Sequence, residues 1–345
     1  MKSKISTIIS LSLLLTVSLA SEQRIASLGG NAGFWAEDDQ NIYIFPSSMH
    51  SFNIAQIDGN GDNMKAAFLF GEGTKYGFFM NESSNQMINM AYGSGSWGLL
   101  LGYDINASGE EYEYTNSNLS LGFGINIGSG ELGLHLMSMN SEHGIESDYS
   151  SMGVGLNLRS ELAIWEFSHV LVSFNFNSGE NGYTGGYYED GYLYDADYYE
   201  EMSSLDLNVD FYRHWNLTES TDLLFALGFG YMSSTSKNYG TKTEISDIMF
   251  PKYTFAVETN LLDWGKIRAG LNESHLLSSS TKVGGNEYKT MGNSDFNLLF
   301  GIGADYGGFK LDLNLNPGFF VDPVSFITGF NDETIASQFS ITYAW

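Results

Sequence analysis

Six charged residues in the second half of the chain stand at alternate positions of otherwise apolar stretches, the spacing that places side chains on one face of a β-strand. They are Asp206, Asp210, Glu258, Arg268, Lys310 and Asp312. Carboxylates and basic groups that share an interior face can line a polar pathway as charged rings, or they can satisfy one another in a filled interior. The spacing favours these two arrangements equally.

Residue types that perform catalysis or bind metals are not arranged for either purpose. The six histidines show no His-x-x-x-His spacing, the chain has no cysteine, and no Gly-x-Ser-x-Gly motif occurs. Residues 128–133 fit the dinucleotide fingerprint, but they join two alternating stretches with no helix after them, which predicts a turn. We therefore expect no enzyme activity, no cofactor and no metal site.

Alternation of apolar with small or polar residues continues through most of the chain after residue 50. In 119–127 every odd position is Leu, Phe or Ile, and every even position is Ser, Gly or Asn. Many such stretches are about ten residues long, the span that a tilted transmembrane strand requires. The pattern predicts an all-β protein, but it fits a soluble β-sandwich as well as a membrane barrel.

The lengths of the connections distinguish the two architectures, because outer-membrane barrels have short periplasmic turns and longer external loops. Going backwards from Trp345, every second connection is short. The short ones are 305–308, 262–265, 214–220, 159–165, 128–130, 93–95 and 71–74, and the long ones include 178–202, 233–249, 274–292 and 316–333. This pattern predicts a transmembrane antiparallel β-barrel of about 14 to 16 strands over 50–345.

Five of the six tryptophans lie at the short-turn ends of the predicted strands. They are Trp97, Trp165, Trp215, Trp264 and Trp345. An indole ring prefers a membrane interface, where the ring is half buried and its N–H is hydrated. These residues are therefore predicted to form the periplasmic girdle of the barrel.

The beginning of the chain predicts export. Lys2 and Lys4 precede the apolar run 5–17, and small residues follow it, so 1–20 is predicted to be a cleaved signal peptide. Without it, 13 basic and 41 acidic residues give a formal net charge of −28, which excludes electrostatic binding of nucleic acid. The 24 Phe and 21 Tyr, with only four Pro, also exclude a disordered chain.

The last residues alternate up to the free carboxylate. Phe339, Ile341, Tyr343 and Trp345 are separated by small or polar residues. This stretch resembles the C-terminal assembly signal of bacterial outer-membrane β-barrel proteins. The resemblance implies a place in the bacterial outer membrane, contact with its lipid and lipopolysaccharide, and recognition of the last strand by the barrel-assembly machinery.

Residues 21–49 show no clean alternation. They contain Gly29-Gly30, an acidic group at 37–39, and Pro46 preceded by Phe45. The region resembles the N-terminal region of the long-chain fatty acid transporter (FadL-like) porin superfamily, although Phe45 stands where that superfamily has Asn. The resemblance implies a hatch inside the barrel lumen and a hydrophobic, lipid-like ligand.

The connection 316–333 is unusually apolar for a segment in water. Phe319, Phe320, Phe326 and Phe330 would each lose on the order of 1.5 to 3 kcal/mol if they were exposed to water rather than buried. We therefore expect this connection to be packed in the barrel mouth, as a lid or as a capture site for a hydrophobic substrate.

Together these features predict passive transport of small solutes or hydrophobic compounds across the outer membrane, by a porin-like or a FadL-like barrel. The alternative is a structural or adhesive surface barrel that uses the acidic, tyrosine-rich connection 179–201.

Overall fold

A computed structural model describes most of the chain after the predicted signal peptide. The described residues are 22–59, 64–81, 86–108, 114–143, 147–183, 187–189, 192–194, 198–238, 240–323 and 336–345.

Antiparallel strands make up most of these residues. Their bounds are β1 (Ile54–Gly59), β2 (Met64–Phe70), β3 (Thr74–Asn81), β4 (Gln86–Ser94), β5 (Trp97–Ser108), β6 (Tyr114–Ile127), β7 (Gly130–His143), β8 (Ser147–Ile164), β9 (Phe167–Tyr183), β10 (Tyr187–Glu189), β11 (Tyr192–Tyr194), β12 (Tyr198–Thr218), β13 (Thr221–Asn238), β14 (Thr241–Asn260), β15 (Gly265–Val283), β16 (Asn286–Thr290), β17 (Ser294–Tyr306), β18 (Phe309–Leu315) and β19 (Ala336–Ala344). A short helix, Gly318–Val321, follows β18.

Sixteen of these strands form a closed antiparallel barrel, which confirms the predicted fold class at the upper end of the expected strand number. β10 and β11 pair only with each other, and β16 extends β15 as an outer hairpin. The ring closes because β1 pairs with both β2 and β19, with Ile54 opposite Ala344 and Gly59 opposite Phe339.

The alternating pattern separates the two faces of the wall as expected. In β3, Phe78 and Met80 point outward and are 47% and 67% exposed, whereas Phe79 between them points into the barrel and is 5% exposed. The apolar phase of the other strands faces outward in the same way, for example at Phe255, Ile267 and Ile341. The outer face of the barrel is thus largely apolar where the strands alternate.

The short turns all lie at one end of the barrel. Gly307 and Gly308 join β17 to β18 with positive φ angles of 60° and 91°, which other residues rarely adopt. The predicted turn between β6 and β7 is at 128–129, and 130–133 begin β7 with no helix after the turn. Two other turns are shorter than expected, because β8 continues to Ile164 and β12 to Thr218.

The barrel wall is uneven in height. β8, β9 and β12–β15 have 17 to 21 residues, whereas β1–β4, β18 and β19 have 6 to 9. The predicted long loops 233–249 and 274–292 are in fact mostly strand, since β13, β14 and β15 continue through them. Polar residues, above all Ser and Thr, occupy many positions on both faces there, so the sequence shows no sustained alternation.

The N-terminal segment lies inside the ring. It consists of a helix, Glu22–Ser27, and three 3₁₀ helices, Ala32–Phe34, Asp39–Tyr43 and Pro46–Ser51, and reaches β1 through Phe52 and Asn53. We call residues 22–53 the plug. Side chains cap two of its turns: Asn31 accepts from the Gly33 amide and Asp38 from the Gln40 amide, both at 2.9 Å.

The plug supplies most of the largest fully buried side chains among the described residues. Leu28, Phe45 and Met49 are fully buried against inward-facing residues of the wall. One apolar cluster joins the plug to β9, β12, β13 and β14, and a second joins it to β1, β2, β3 and β4. None of the described helices is long and apolar enough to cross a bilayer. The predicted signal peptide, 1–20, lies outside the described residues.

Candidate functional site

The plug is tied to the wall by a chain of buried ion pairs. Arg24 of the plug pairs with Asp38, also of the plug, and at 3.1 Å with Glu258 of β14. Arg268 of β15 pairs with the same Glu258 at 2.5 Å and with Asp312 of β18 at 2.6 Å. Burial alone would lower the pKa of Arg24, but the two carboxylates outweigh it and hold the pKa above its ordinary value. Arg24 is therefore a permanent cation in this network.

A second anchor lies on a different part of the wall, at β8. The guanidinium of Arg159, on β8, donates to the Gly33 carbonyl at 2.9 Å and to the Asn41 side chain at 3.0 Å. It also pairs with Glu131 and lies 4.7 Å from the centre of the Phe45 ring. One wall residue thus binds three parts of the plug.

Three further wall side chains satisfy backbone carbonyls of the plug. His135 reaches the Ile44 carbonyl at 2.9 Å, and His214 reaches the Phe34 carbonyl at 2.8 Å. Asn272 donates to the Gly29 carbonyl at 2.7 Å. Because a carbonyl only accepts, the contacting Nε2 of each histidine carries the proton.

Glycines in the wall allow the plug backbone to approach it closely. A side chain at Gly98 or Gly133 would overlap the carbonyl of Pro46 or Ile44, respectively. Gly98 is the second residue of β5 and Gly133 is the fourth residue of β7, so both lie near the short-turn end of the barrel. Plug and wall therefore fit as complementary surfaces.

Two compartments of different chemistry lie on either side of the plug. The upper cavity, towards the long connections, has a volume of about 120 Å³ and is lined by Tyr43, Phe79, Asn89, Leu100, Gly102, Ser120, Leu121, Gly122, His135, Leu136, Met137, Gly153, Val154, Gly155, Asn175 and Asn177. None of these residues is charged. A neighbouring cavity of about 140 Å³ shares Met137, Gly153 and Asn177 with it.

The lower cavity, at the short-turn end, has about 480 Å³ and a mainly charged lining. It contains the ion-pair network, together with Lys266, Asp305 and Lys310. The plug therefore separates an uncharged compartment from a charged one.

The structure brings together three of the six predicted lumenal charges. Glu258, Arg268 and Asp312 form the wall part of the network, and Lys310 lines the same cavity. Asp206 and Asp210 also face inward, but they lie on β12, where Asp206 accepts from Asn208.

The five girdle tryptophans stand at the short-turn end. Trp97 begins β5, and Trp215 lies near the end of β12. Trp165 and Trp264 lie in turns and are 91% and 52% exposed, and Trp345 follows the last strand. The sixth tryptophan, Trp35, is buried in the plug with its ring 4.7 Å from that of His214.

The apolar connection after β18 does not lie as expected. The Phe320 ring centre is 4.5 Å from that of Phe300, which belongs to the outward phase of β17, and Phe320 is 53% exposed. Phe319 packs on Phe320 at 5.6 Å. Phe320 therefore lies on the outer apolar face and not in the mouth, because that face also accommodates apolar side chains. Phe326 and Phe330 lie outside the described residues.

The sequence pattern did not indicate two plug residues and one wall residue of the site. Arg24, Asp38 and Arg159 were not predicted as site residues. One signal was present for Arg159, since it shares the inward phase of β8 with Asn157, and basic residues are scarce in this chain. Nothing in the local pattern around Arg24 or Asp38 indicated a partner on a strand.

Within the described residues, no group of three or more His, Asp or Glu side chains is placed to hold a metal ion.

The chain matches no protein-family profile and no curated protein sequence. Among solved structures it is similar to the FrpB iron transporter from Neisseria meningitidis, with 11% identity over 76% of this chain and 45% of that one, and a TM-score of 0.40.

Two other solved structures are similar. The siderophore receptor PirA from Acinetobacter baumannii has 8% identity over 76% of this chain and 51% of that one, with a TM-score of 0.40. A loop L8 deletion mutant of OmpT, an outer membrane protein of Vibrio cholerae, has 8% identity over 85% of this chain and 96% of that one, with a TM-score of 0.32. The chain spans about half the length of FrpB and PirA. These likenesses concern the fold only.

Proposed function

We propose that the protein is a passive transporter of small compounds in the bacterial outer membrane, with a plugged lumen of the FadL-like kind and not an open porin channel. The observation that carries the proposal is the plug, which buries Leu28, Phe45 and Met49 inside the ring and is anchored to the wall at two separate places, on β14 and on β8. A segment held in this way blocks free diffusion of hydrated ions, so passage requires a route beside the plug or its movement.

Three features support the membrane location. The outer face is apolar, five of the six tryptophans lie at the short-turn end, and Ile341 and Tyr343 of the last strand face outward. The predicted signal peptide and the uncharged upper cavity agree with an exported barrel that takes up small compounds.

Planar-bilayer recording of the purified protein tests the plug. The double variant Arg24→Ala/Asp38→Ala removes one cation and one anion from the plug and leaves the Glu258–Arg268–Asp312 group in the wall. We expect only rare openings in the unmodified protein and frequent large openings in the variant. Lys237→Ala/Glu201→Ala is the matched control, because it removes an equally neutral but exposed pair from the outer ends of β12 and β13.

Uptake of small neutral, small charged and long-chain compounds by cells that produce the protein completes the test. Large steady currents from the unmodified protein would overturn the plugged barrel in favour of an open porin. If no compound entered faster than in cells without the protein, and the variant carried no current, transport itself would fail and the adhesive alternative would be favoured.

A further inference from the structure

The upper cavity exists because four inward positions of the wall are glycine. Gly102 lies on β5, Gly122 on β6, and Gly153 and Gly155 on β8. Without side chains there, the wall leaves space above Tyr43 of the plug, and polar side chains of neighbouring strands lie over the glycines. These side chains are Ser120, His135, Asn175 and Asn177. A side chain at Gly155, for example, would meet the Asn175 amide oxygen at 3.0 Å.

The charge of the cavity restricts its ligand. The chain has a formal net charge of −26, yet the lining of this cavity contains no Asp, Glu, Lys or Arg. An ionised ligand would lose its hydration here without gaining a counter-charge, which is costly in a low-dielectric interior. A carboxylate is therefore disfavoured, and a neutral molecule is favoured.

Neutral polar groups are nevertheless present. The Nε2 of His135 donates its hydrogen bond to the Ile44 carbonyl. In the neutral ring Nδ1 is therefore an acceptor, and it lies beside Gly122. The side-chain nitrogen of Asn177 is buried and has no hydrogen-bond partner among the described residues. These two residues offer an acceptor and an amide donor to one hydroxyl or carbonyl group.

The size of the cavity restricts the ligand further. An apolar cavity of about 150 Å³ holds a benzene molecule. The upper cavity, at about 120 Å³, has room for one ring and not for a long acyl chain. The neighbouring cavity of about 140 Å³ lies on the side of the long connections and would hold a molecule before it enters the upper one.

We propose that the upper cavity binds a neutral, ring-sized molecule with an apolar body and one hydroxyl or carbonyl group. The ring contacts Tyr43 and Phe79, and the polar group faces His135 and Asn177. The proposal rests on the proposed function insofar as this molecule is also the transported compound. It differs from the fatty-acid ligand that the N-terminal resemblance implies.

Fluorine NMR with 4-fluorobenzyl alcohol as the probe tests the site on the purified full-length protein in detergent. We expect saturable binding, at least tenfold weaker binding of 4-fluorobenzoate, and at least tenfold weaker binding of the alcohol to Ser120→Phe, which fills the cavity from β6. Ser117→Phe is the matched control, since it places the same side chain on the opposite face of the same strand. Asn177→Leu should weaken binding of the alcohol more than binding of fluorobenzene.

Folding of each variant is checked by its heat-dependent migration on a gel, and Gly155→Val replaces Ser120→Phe if that variant does not fold. Equal binding of the benzoate, or full binding by the folded cavity variant, would overturn the proposal. Uptake of the alcohol by cells distinguishes failure of the proposed binding site from failure of the proposed transport function. Binding without uptake would support the site and contradict the transport function. Uptake without binding in this cavity would support the transport function and contradict the site.

Discussion

Arg268 is the central residue of the ion-pair network, because its guanidinium reaches Glu258 and Asp312 at once. Its side chain is 3% exposed and that of Asp312 is 4% exposed. Removing one partner from such a pair leaves a buried, uncompensated charge. We expect Arg268→Ala to lower the free energy of unfolding by about 3 kcal/mol, measured by urea unfolding in lipid vesicles.

Two further variants serve as controls for this prediction. Arg268→Ala/Asp312→Ala should recover part of the loss, because it removes the unpaired carboxylate as well. Arg213→Ala breaks an ion pair with Glu166 that is largely exposed, and it should change stability little. Equal effects of Arg213→Ala and Arg268→Ala would show that the network contributes no more than a surface pair.

Gly133 determines how closely the plug approaches β7. A valine there would overlap the Ile44 carbonyl, so we expect Gly133→Val to displace the plug while the barrel still forms. Limited proteolysis measures the result as faster cleavage within 22–53. Gly182→Val on β9 is the control, since the nearest atom to a side chain there is 3.9 Å away. Resistance to protease equal to that of the unmodified protein would contradict the fit described between plug and wall.

For single residues, the sequence predicts which face of a strand a side chain lies on, but not which residue it pairs with. Alternation correctly places Glu258, Arg268 and Asp312 inside, because the phase of each strand is visible within a few residues. It does not reveal Arg24, which lies 234 positions from Glu258 and belongs to a segment with no alternation. Pairing across a lumen depends on how the ring closes, which no local pattern encodes.

The closing strand, β19, is the element on which the ring depends, since it pairs with β18 on one side and with β1 on the other. Ser340 faces inward and donates to Asp58, while Ile341 and Tyr343 face outward. An alanine inserted between Ser340 and Ile341 turns every later side chain to the opposite face. We expect it to reduce heat-modifiable, folded protein in membranes severalfold.

An alanine inserted after Asp263 is the control, because the 261–264 turn is exposed and lies outside the ladder. It should leave the folded amount nearly unchanged. If both insertions assembled equally well, the register of the last strand would not matter for assembly.

Strands were predictable from the sequence where their outer face is apolar and their inner face carries small or polar residues. The ends of β13, β14 and β15 were missed because Ser and Thr occupy both faces, for instance where Ser233 pairs with Ser246. The apolar connection was misplaced for a related reason. Phe320 would be costly in water, but the outer face beside Phe300 is itself apolar, so burial in the mouth is not required.

The whole molecule is a wall with an apolar outer face and an inner face that packs on the plug through apolar clusters and ion pairs. Its tall side exceeds what a membrane needs. With 19 residues at about 3.3 Å each, β15 reaches roughly 60 Å along its length, whereas the hydrocarbon core of a bilayer is about 30 Å thick. Even a strongly tilted β15 therefore begins on one side of the membrane and ends on the other.

This geometry gives a prediction for the orientation of the complete protein in cells. Asp263 lies in the exposed turn before β15, and Asn286 lies in the exposed hairpin after it. The chain has no cysteine, so Asp263→Cys and Asn286→Cys each introduce a single thiol at opposite ends of one strand. A bulky, membrane-impermeant maleimide should label Asn286→Cys on intact cells and label Asp263→Cys only after the outer membrane is opened. The reverse order would invert the orientation, and labelling of neither residue until the cells are lysed would place the protein away from the cell surface.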